Sequence, residues 1–108
     1  MPVRQLLQRH ATVRSLIRHR LESRGFLEVC TPIVSSEILP EVSIDPYMVM
    51  HGNEKKFLQT SPEPHMKRLL AEDSGSIFQF AHCFRSEERG PHHDTEFTML
   101  EWYEPGAD

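Results

Sequence analysis

The sequence has only two cysteines, few aromatic residues (8%) and no excess of positive charge. Cys30 and Cys83 do not form a metal-type pair, so we expect both to be small, reduced core residues. No apolar run approaches the length of a membrane span and no secretory signal is visible, so we expect a cytoplasmic location. The net charge of −4 argues against the whole-molecule basic field of a dedicated nucleic-acid binder.

Positive charge is nevertheless concentrated at one end of the chain. Apolar residues at helical spacing predict a helix over residues 3–24, and Gly25 fits the position just after a helix end. We interpret the basic residues of this helix as a solvated face, with contact to RNA or a membrane as the alternative. Six of the twelve basic side chains lie in it, opposed only by Glu22: Arg4, Arg9, Arg14, Arg18, Arg20 and Arg24.

The middle of the chain predicts short strands and a second helix. "GFLEVCTPIV" is typical of a short strand that ends before Pro32, and residues 35–46 are typical of a surface loop. "YMVMHGNEKKFLQ" predicts a hairpin around Gly52. In "TSPEPHMKRLLAEDSG" we expect Ser61 to cap a helix and Pro62 to occupy its first turn.

Two longer strands are predicted near the end, in "IFQFAHCFR" and "EFTMLEWY". Side chains alternate between the two faces of a strand, so each run divides into two sets. In the first run, the aromatic set beginning at Phe78 is the expected core face, and the set of small residues that ends at Arg85 should leave room above the sheet. If the strands pair, Arg85 and a set that includes Phe97, Glu101 and Tyr103 line the same cavity.

The segment between these strands is richer in ionisable residues than a simple turn requires. The guanidinium of Arg85 matches phosphate oxygens and can stabilise charge that develops at phosphorus. Glu87 can accept a hydrogen bond from the amino group of a base, and Phe97 can stack on a heterocycle. His93 and Arg89 can contact a polyphosphate. The alternative is a weak Arg–Glu surface pair at a hairpin tip.

Glu63 and Glu101 are candidates for holding a cationic substrate, with Tyr103 adding a hydroxyl contact. The alternatives are a first-turn helix glutamate favoured by the helix dipole and a solvent-facing strand residue. His92 and His93 point apart on an extended chain and have no completing ligands, so we expect no protein-bound metal there.

Three stretches together resemble a known family. "RGFLEVCTPIV", "TSPEPHMKRLL" and "FRSEERGPHHDTEFTMLEWY" are similar, in this order, to the lysyl branch of the class II aminoacyl-tRNA synthetases. The resemblance places motif 1 at about residues 10–34 and motif 2, the ATP-binding hairpin, at about residues 77–103. It implies an α+β fold, with an antiparallel sheet flanked by helices, of which residues 1–108 are the N-terminal portion. It also implies a homodimer formed through residues 3–34.

Within that branch, "SPEPHMKRLL" and "TEFTMLEWY" are most similar to paralogues that lack an anticodon-binding domain. No OB-type barrel precedes motif 1 here, in agreement with that group. The resemblance implies ATP-dependent adenylation of lysine or (R)-β-lysine and transfer to a lysine of elongation factor P. The alternatives are a lysyl-tRNA synthetase core that charges tRNA-Lys, and a non-catalytic fragment that acts as a dimerisation module.

The resemblance also implies roles for individual residues. Arg85 is the catalytic residue, which holds the α-phosphate and stabilises the transition state. The other ATP-binding residues are Ser86, Glu87, His93, Asp94 and Phe97, and the amino acid is held by Ser61, Pro62, Glu63, Glu101 and Tyr103.

The sequence departs from the family pattern at several points. Asp94 stands where an asparagine is common, Ser86 replaces another common asparagine, and Thr95 stands where proline is usual. The glycine-rich motif 3, with its second ATP-binding arginine, is absent. Mg²⁺ ligands are therefore expected outside this chain, and we expect the 108 residues alone to be inactive.

Overall fold

The computed structural model describes residues 1–36, 47–85 and 95–106. They form two helices and two three-stranded sheets, ordered β1-β5-β6 and β2-β4-β3. The fold is thus mixed α/β, with mainly antiparallel pairing. In chain order the elements are α1 (Val3–Ser23), β1 (Leu27–Glu28), β2 (Val34–Ser35), β3 (Met48–His51), β4 (Glu54–Leu58), α2 (Glu63–Ala71), β5 (Ile77–Phe84) and β6 (Glu96–Tyr103).

The predicted first helix is confirmed as α1. Gly25 follows its last turn with φ +89°, a left-handed conformation that glycine adopts without steric cost. No residue of α1 is buried. Its arginines are not all simply solvated, however, because Arg18 donates to Glu28 at 2.6 Å and the guanidinium of Arg14 lies 4.5 Å from the centre of the Phe80 ring.

The predicted hairpin is also confirmed, as β3 and β4 joined through Gly52 at φ +62°. The predicted loop over residues 35–46 begins one residue late, because Ser35 belongs to β2, which pairs with β4. Residues 37–46 lie outside the described part of the chain. Gln59, just after β4, links the two sheets: its carbonyl oxygen accepts from the Phe84 amide at 2.9 Å and its side-chain amide donates to the His82 carbonyl at 2.7 Å.

The second helix begins one residue later than predicted. Pro62, not Ser61, occupies the N-cap position of α2, and the proline within the first turn is Pro64. The Ser61 hydroxyl still accepts a long hydrogen bond from the Glu63 amide, at 3.4 Å. Because neither proline has an N–H to donate, this helix start leaves few backbone donors to satisfy.

The two long strands pair in the predicted way, antiparallel from Ile77↔Tyr103 to Phe84↔Glu96. The single antiparallel sheet that we expected is instead two sheets, and β1 runs parallel to β5. A parallel neighbour is possible here because the chain between β1 and β5, which contains β2, β3, β4 and α2, is long enough for the crossover that parallel strands require.

The β5–β6 pair has two faces, which we call front and back. The front face carries Ile77, Gln79, Ala81 and Cys83 on β5 and Phe97, Met99, Glu101 and Tyr103 on β6. The back face carries Phe78, Phe80, His82 and Phe84 on β5 and Glu96, Thr98, Leu100 and Trp102 on β6.

The expectation that the aromatic back face forms the core holds only for Phe78, which is fully buried. All four front-face residues of β5 are at most 4% exposed, whereas on the back face His82 is exposed and Phe80 only half-buried. The front face packs close to α2 and to the Thr31 segment, and α2 contacts β6. The small side chains of β5 allow neighbouring segments to pack closely against them, which leaves little room over β5. The open space predicted above the front face lies instead over the half-buried residues of β6.

The two cysteines differ from one another. Cys83 is buried on the front face, as expected, but Cys30 is exposed, so the expectation that both lie in the core is wrong for Cys30. Cys30 falls just after the short strand β1, in a segment without regular structure, where alternation no longer determines which side chain is covered.

Candidate active site

One end of the front face combines a cation with an aromatic ring. The guanidinium carbon of Arg85 lies 5.1 Å from the centre of the Phe97 ring, within the range of a cation–π interaction. The Arg85 amide donates to the Thr95 carbonyl at 2.9 Å, which closes the strand pair at this end. The site therefore presents a fork of donors beside a stacking surface, and we call this the cation end.

The other end of the front face carries two carboxylates and a phenol. The Tyr103 hydroxyl donates to Glu101 Oε2 at 3.0 Å. Glu63, the first residue of α2, accepts from Lys67 Nζ at 2.6 Å one helical turn further along. We call this the carboxylate end.

Burial perturbs the ionisation of the carboxylate end. The pKa of the Glu101 carboxyl is raised, mainly by loss of solvation and further by the charge of Glu63. The hydrogen bond from Tyr103 and the positive charges of Arg85 and Lys67 oppose this rise. Glu101 is thus half-buried and its charge interacts with both ends of the face, so it is not the solvent-facing strand residue that was the alternative interpretation.

Burial also raises the pKa values of Tyr103 and Cys83. The pKa of the Tyr103 phenol is raised by burial and then by its hydrogen bond to Glu101, so the phenol keeps its proton at neutral pH and remains a donor. Burial raises the pKa of the Cys83 thiol to about 11. Cys83 is therefore a packing residue and has none of the thiolate character of a nucleophile.

The two ends are far enough apart for an extended ligand. Phe97 and Tyr103 lie six residues apart on the same face of β6, which corresponds to about 20 Å at about 3.4 Å per residue. Arg85 interacts electrostatically with Glu101, which lies between them. A ligand that is anionic and aromatic at one end and cationic at the other matches this order of groups.

Hydrogen bonds hold the scaffold beneath the site. The Gln79 side chain is 4% exposed, and its Oε1 accepts from the Thr31 amide at 3.0 Å while its Nε2 donates to the Thr31 hydroxyl at 2.9 Å. Pro62 and Met66 of α2 are fully buried. The front face is consequently well packed below the ionisable side chains that stand on it.

The back face has clefts of a different kind. One of about 730 Å³ lies between α1 and the sheet, beside Val13 and Phe80, and a smaller one of about 240 Å³ lies beside Leu21 and Trp102. Their linings are apolar residues with arginines at the rim. Neither lining contains the paired carboxylates and the phenol that stand on the front face.

Comparison with known proteins identifies the family. The family model for tRNA synthetases class II (D, K and N) matches residues 2–107. The chain belongs to this class II synthetase family. It is 44% identical to the Elongation factor P--(R)-beta-lysine ligase of Proteus mirabilis over 108 residues, covering 94% of this chain and 33% of that relative.

Other relatives carry the same name. The chain is 44% identical over 113 residues to the Elongation factor P--(R)-beta-lysine ligase of Sodalis glossinidius, covering 99% of this chain and 34% of the relative. It is 45% identical over 113 residues to that of Klebsiella pneumoniae, with the same coverage of 99% and 34%. The chain thus spans about a third of the length of the curated relatives that it matches.

The structure brings together five of the residues predicted for a class II synthetase site. Arg85 and Phe97 form the cation end, while Glu63, Glu101 and Tyr103 form the carboxylate end. Ser61 and Pro62 lie immediately before Glu63 at the start of α2. The remaining predicted residues lie outside the described part of the chain: Ser86, Glu87, Arg89, His93 and Asp94.

Two contacts of the site were missed by the sequence reasoning. Lys67 lies four residues after Glu63, a spacing that predicts an ion pair on a helix and could have been recognised. The bond between Gln79 and Thr31 joins residues 48 positions apart, and no local pattern signals it.

Two negative findings apply to residues 1–36, 47–85 and 95–106. No group of three or more His, Cys, Asp or Glu residues is placed there to hold a metal ion. No helix in these ranges is both long and apolar enough to cross a membrane.

Proposed function

We propose that this chain is the N-terminal portion of the catalytic domain of an ATP-dependent ligase with the class II synthetase fold. Motif 1 occupies about residues 10–34, motif 2 about residues 77–103, and motif 3 lies outside residues 1–108. The ligase activates lysine or (R)-β-lysine and transfers it to a lysine of elongation factor P. The observation that carries the proposal is the order of groups on the front face, from Arg85 and Phe97 to Glu101 and Tyr103, in a chain whose relatives bear that activity in their names.

The cation end would take ATP. Phe97 stacks on adenine, and the guanidinium of Arg85 binds an oxygen of the α-phosphate. When a carboxylate oxygen of the amino acid attacks the α-phosphorus and pyrophosphate leaves, negative charge builds up on the phosphoryl oxygens. A fixed guanidinium stabilises that charge more than the charge of the ground state, which lowers the barrier. In motif 2, Ser86, Glu87, His93 and Asp94 would add ATP contacts.

The carboxylate end would take the amino acid. Glu63, with Ser61 and Pro62 before it, binds the α- or β-amino group, and Glu101 and Tyr103 contact the rest of the substrate. Because Tyr103 keeps its proton, it can donate a hydrogen bond while Glu101 accepts one. In the second reaction a lysine Nε of elongation factor P attacks the acyl carbon of the adenylate, and AMP leaves.

The proposal includes a homodimer formed through residues 3–34. Several apolar side chains of α1 are largely exposed, among them Val3 at 71%, Leu7 at 62% and Leu16 at 65%. Apolar surface of this extent on one helix is typical of an interface. We place the Mg²⁺ ligands that would accompany ATP outside this chain.

The test uses a chimaera in which this chain replaces the aligned third of the Proteus mirabilis relative. We expect lysine- or (R)-β-lysine-dependent exchange of pyrophosphate into ATP, followed by labelling of elongation factor P. Arg85→Ala should reduce the exchange rate by about 100- to 1,000-fold, as expected for removal of a donor that stabilises transition-state charge. Arg68→Gln, which removes a positive charge from an exposed position on α2, is the matched control and should leave the rate unchanged.

The acceptor is tested separately. Labelling of tRNA-Lys in preference to elongation factor P would replace the proposed reaction with that of a lysyl-tRNA synthetase. A chimaera that folds but exchanges no pyrophosphate would favour a dimerisation module. The 108-residue chain by itself should show no exchange, and activity from it would refute the assignment of part of the ATP site to other residues.

A further inference from the structure

The carboxylate end already contains an ammonium group. Lys67 Nζ lies 2.6 Å from Glu63 Oε1, at the distance of a charge-assisted hydrogen bond. The positive charge of Lys67 also acts on Glu101, the second carboxylate of this end, whose pKa it lowers. One lysine side chain of the protein therefore interacts with both carboxylates.

The amino group of a free amino acid has the same chemistry as this side chain. Both are primary ammonium groups with N–H donors and a single positive charge. A carboxylate has limited room for two such cations, and two ammonium groups held side by side repel one another. A substrate that uses Glu63 must therefore displace Lys67 or share the carboxylate with it.

The position of Lys67 makes displacement feasible. Its side chain is 61% exposed and that of Glu63 is 38% exposed, so the pair lies at the surface of the site and not in the core. Met66, its neighbour on α2, is fully buried and anchors the helix. The ammonium can therefore move into solvent without disturbing the packing of α2.

We propose that Lys67 is a specificity-determining residue that occupies Glu63 in the free protein and must leave it when the substrate's amino group binds. This inference rests on the proposed function, since it takes Glu63 as the ligand of that amino group. A ligand therefore binds only if its own interactions with the site outweigh the ion pair between Lys67 and Glu63. Amines that lack other contacts are disfavoured, whereas an amino acid that also engages Glu101 and Tyr103 replaces the internal ion pair.

The simpler interpretation is an ordinary ion pair at spacing i, i+4, which contributes little to helix stability. The two interpretations differ in what they predict for ligand binding. An ordinary pair makes Lys67→Gln slightly destabilising and leaves binding unchanged. A competing ammonium makes the same substitution tighten the binding of ligands that carry the amino group.

The experiment is an NMR titration with L-lysine of the chimaera in which this chain replaces the aligned third of the Proteus mirabilis relative, followed through the ring signals of Tyr103. Lys67→Gln should lower Kd by about threefold, the equivalent of an exposed ion pair of about 0.2–1 kcal/mol. Arg68→Gln removes the same charge from the next residue of α2 and should leave Kd near that of the parent. Lys67→Arg, which retains a cation within reach of Glu63, should also keep the parental Kd.

A second ligand isolates the amino group. 6-Aminohexanoic acid is lysine without its α-amino group, and its Kd should be the same for the parent chimaera and for Lys67→Gln. In the parent chimaera, the Lys67 side-chain signals should shift as L-lysine binds, with the same Kd as the Tyr103 signals.

Each other outcome has a definite meaning. Equal Kd values for Lys67→Gln and Arg68→Gln would overturn the role of Lys67 while leaving the amino-acid site in place. An equal gain for 6-aminohexanoic acid would do the same, because the effect would not depend on the α-amino group. If L-lysine moves no Tyr103 signal in any variant, the amino-acid site is itself wrong and the inference falls with it.

Discussion

The front and back faces of the β5–β6 pair are built from the same two strands but have opposite characters. On the front, the β5 side chains are buried, with Gln79 bonded to Thr31, and the ionisable groups stand on β6, which α2 contacts. On the back, Phe78 is fully buried, but Phe80, beneath Arg14 of α1, is only partly covered, and the ion pair of His82 and Glu96, at 2.6 Å, is exposed.

The comparison shows that residue type does not decide which face becomes the interior. On the front, a glutamine is buried among apolar side chains because Thr31 approaches it closely and satisfies its side-chain amide. On the back, the ring of Phe80 meets a helix with no buried residue of its own. Within the described β5–β6 pair, the groups with shifted pKa values are Cys83, Glu101 and Tyr103, and all three stand on the front face, where burial and polarity coincide.

The largest expected effect concerns Phe78, the one fully buried aromatic of the back face. Phe78→Ala removes a ring that packs edge-to-face on Phe80 with centres 6.0 Å apart, and it should reduce the free energy of unfolding by about 3–5 kcal/mol. Urea denaturation measures the change. Trp102→Ala, at the position opposite Phe78 but 55% exposed, should cost about 1 kcal/mol or less. Similar losses for both variants would show that the back face is a closed core.

A smaller loss is expected from the buried amide of the front face. Gln79→Leu leaves the amide and hydroxyl of Thr31 without their shared partner and should cost about 1–3 kcal/mol. Thr31→Val tests the same connection from the other side. In the double variant the losses should be less than additive, because both changes remove the bond between the Thr31 hydroxyl and the Gln79 side chain, whereas the bond from the Thr31 amide is lost only when Gln79 changes. Additive losses, measured by urea denaturation, would mean that the bond contributes nothing to holding the front face.

The contact between α1 and the back face should be weaker. Arg14→Gln removes the guanidinium above the Phe80 ring and should lower the free energy of unfolding by about 0.5–1 kcal/mol, the range for exposed cation–π pairs. Arg9→Gln is the control on the same helix, because it removes an equal charge from a residue that stacks on no aromatic ring in the described part of the chain. An equal effect from the two variants would assign the loss to the total charge of α1.

The smallest effects are pH-dependent and have opposite signs in two regions. The pKa of Glu101 is raised above its ordinary 4.5, so its contribution to stability is complete below that pH and is lost as the pH rises through the raised pKa. Glu101→Gln should therefore be more stable than the parent chain at neutral pH, and the difference should shrink on acidification. Denaturation midpoints measured from pH 4 to pH 7 follow this change.

Glu28 provides the opposite case. The hydrogen bond from Arg18 holds the pKa of the Glu28 carboxyl below its ordinary 4.5, so its contribution is present above that pH and is lost as the pH falls through the lowered pKa. Glu28→Gln should be less stable than the parent at neutral pH, with a difference that closes in acid. If both variants shift stability in the same direction, the contrast between the two carboxylates is wrong.

Much of the candidate site followed from sequence because it depends on short-range rules. Alternation along a strand places Phe97, Glu101 and Tyr103 on one face, and the antiparallel pairing then adds Arg85 to it. Both helices and the β3–β4 hairpin also followed from periodicity and turn residues. The roles assigned to Ser86, Glu87, His93 and Asp94, like those of the other site residues, stay predictions.

The sequence by itself determined the periodicity of the elements and the membership of the two faces, because these depend on neighbours a few residues apart. Only the tertiary structure decided which face is buried, that β1 runs parallel to β5, and that Cys30 is exposed while Cys83 is not. These outcomes depend on which distant segment packs against a given surface. Packing of that kind is a property of the whole chain, and no local pattern contains it.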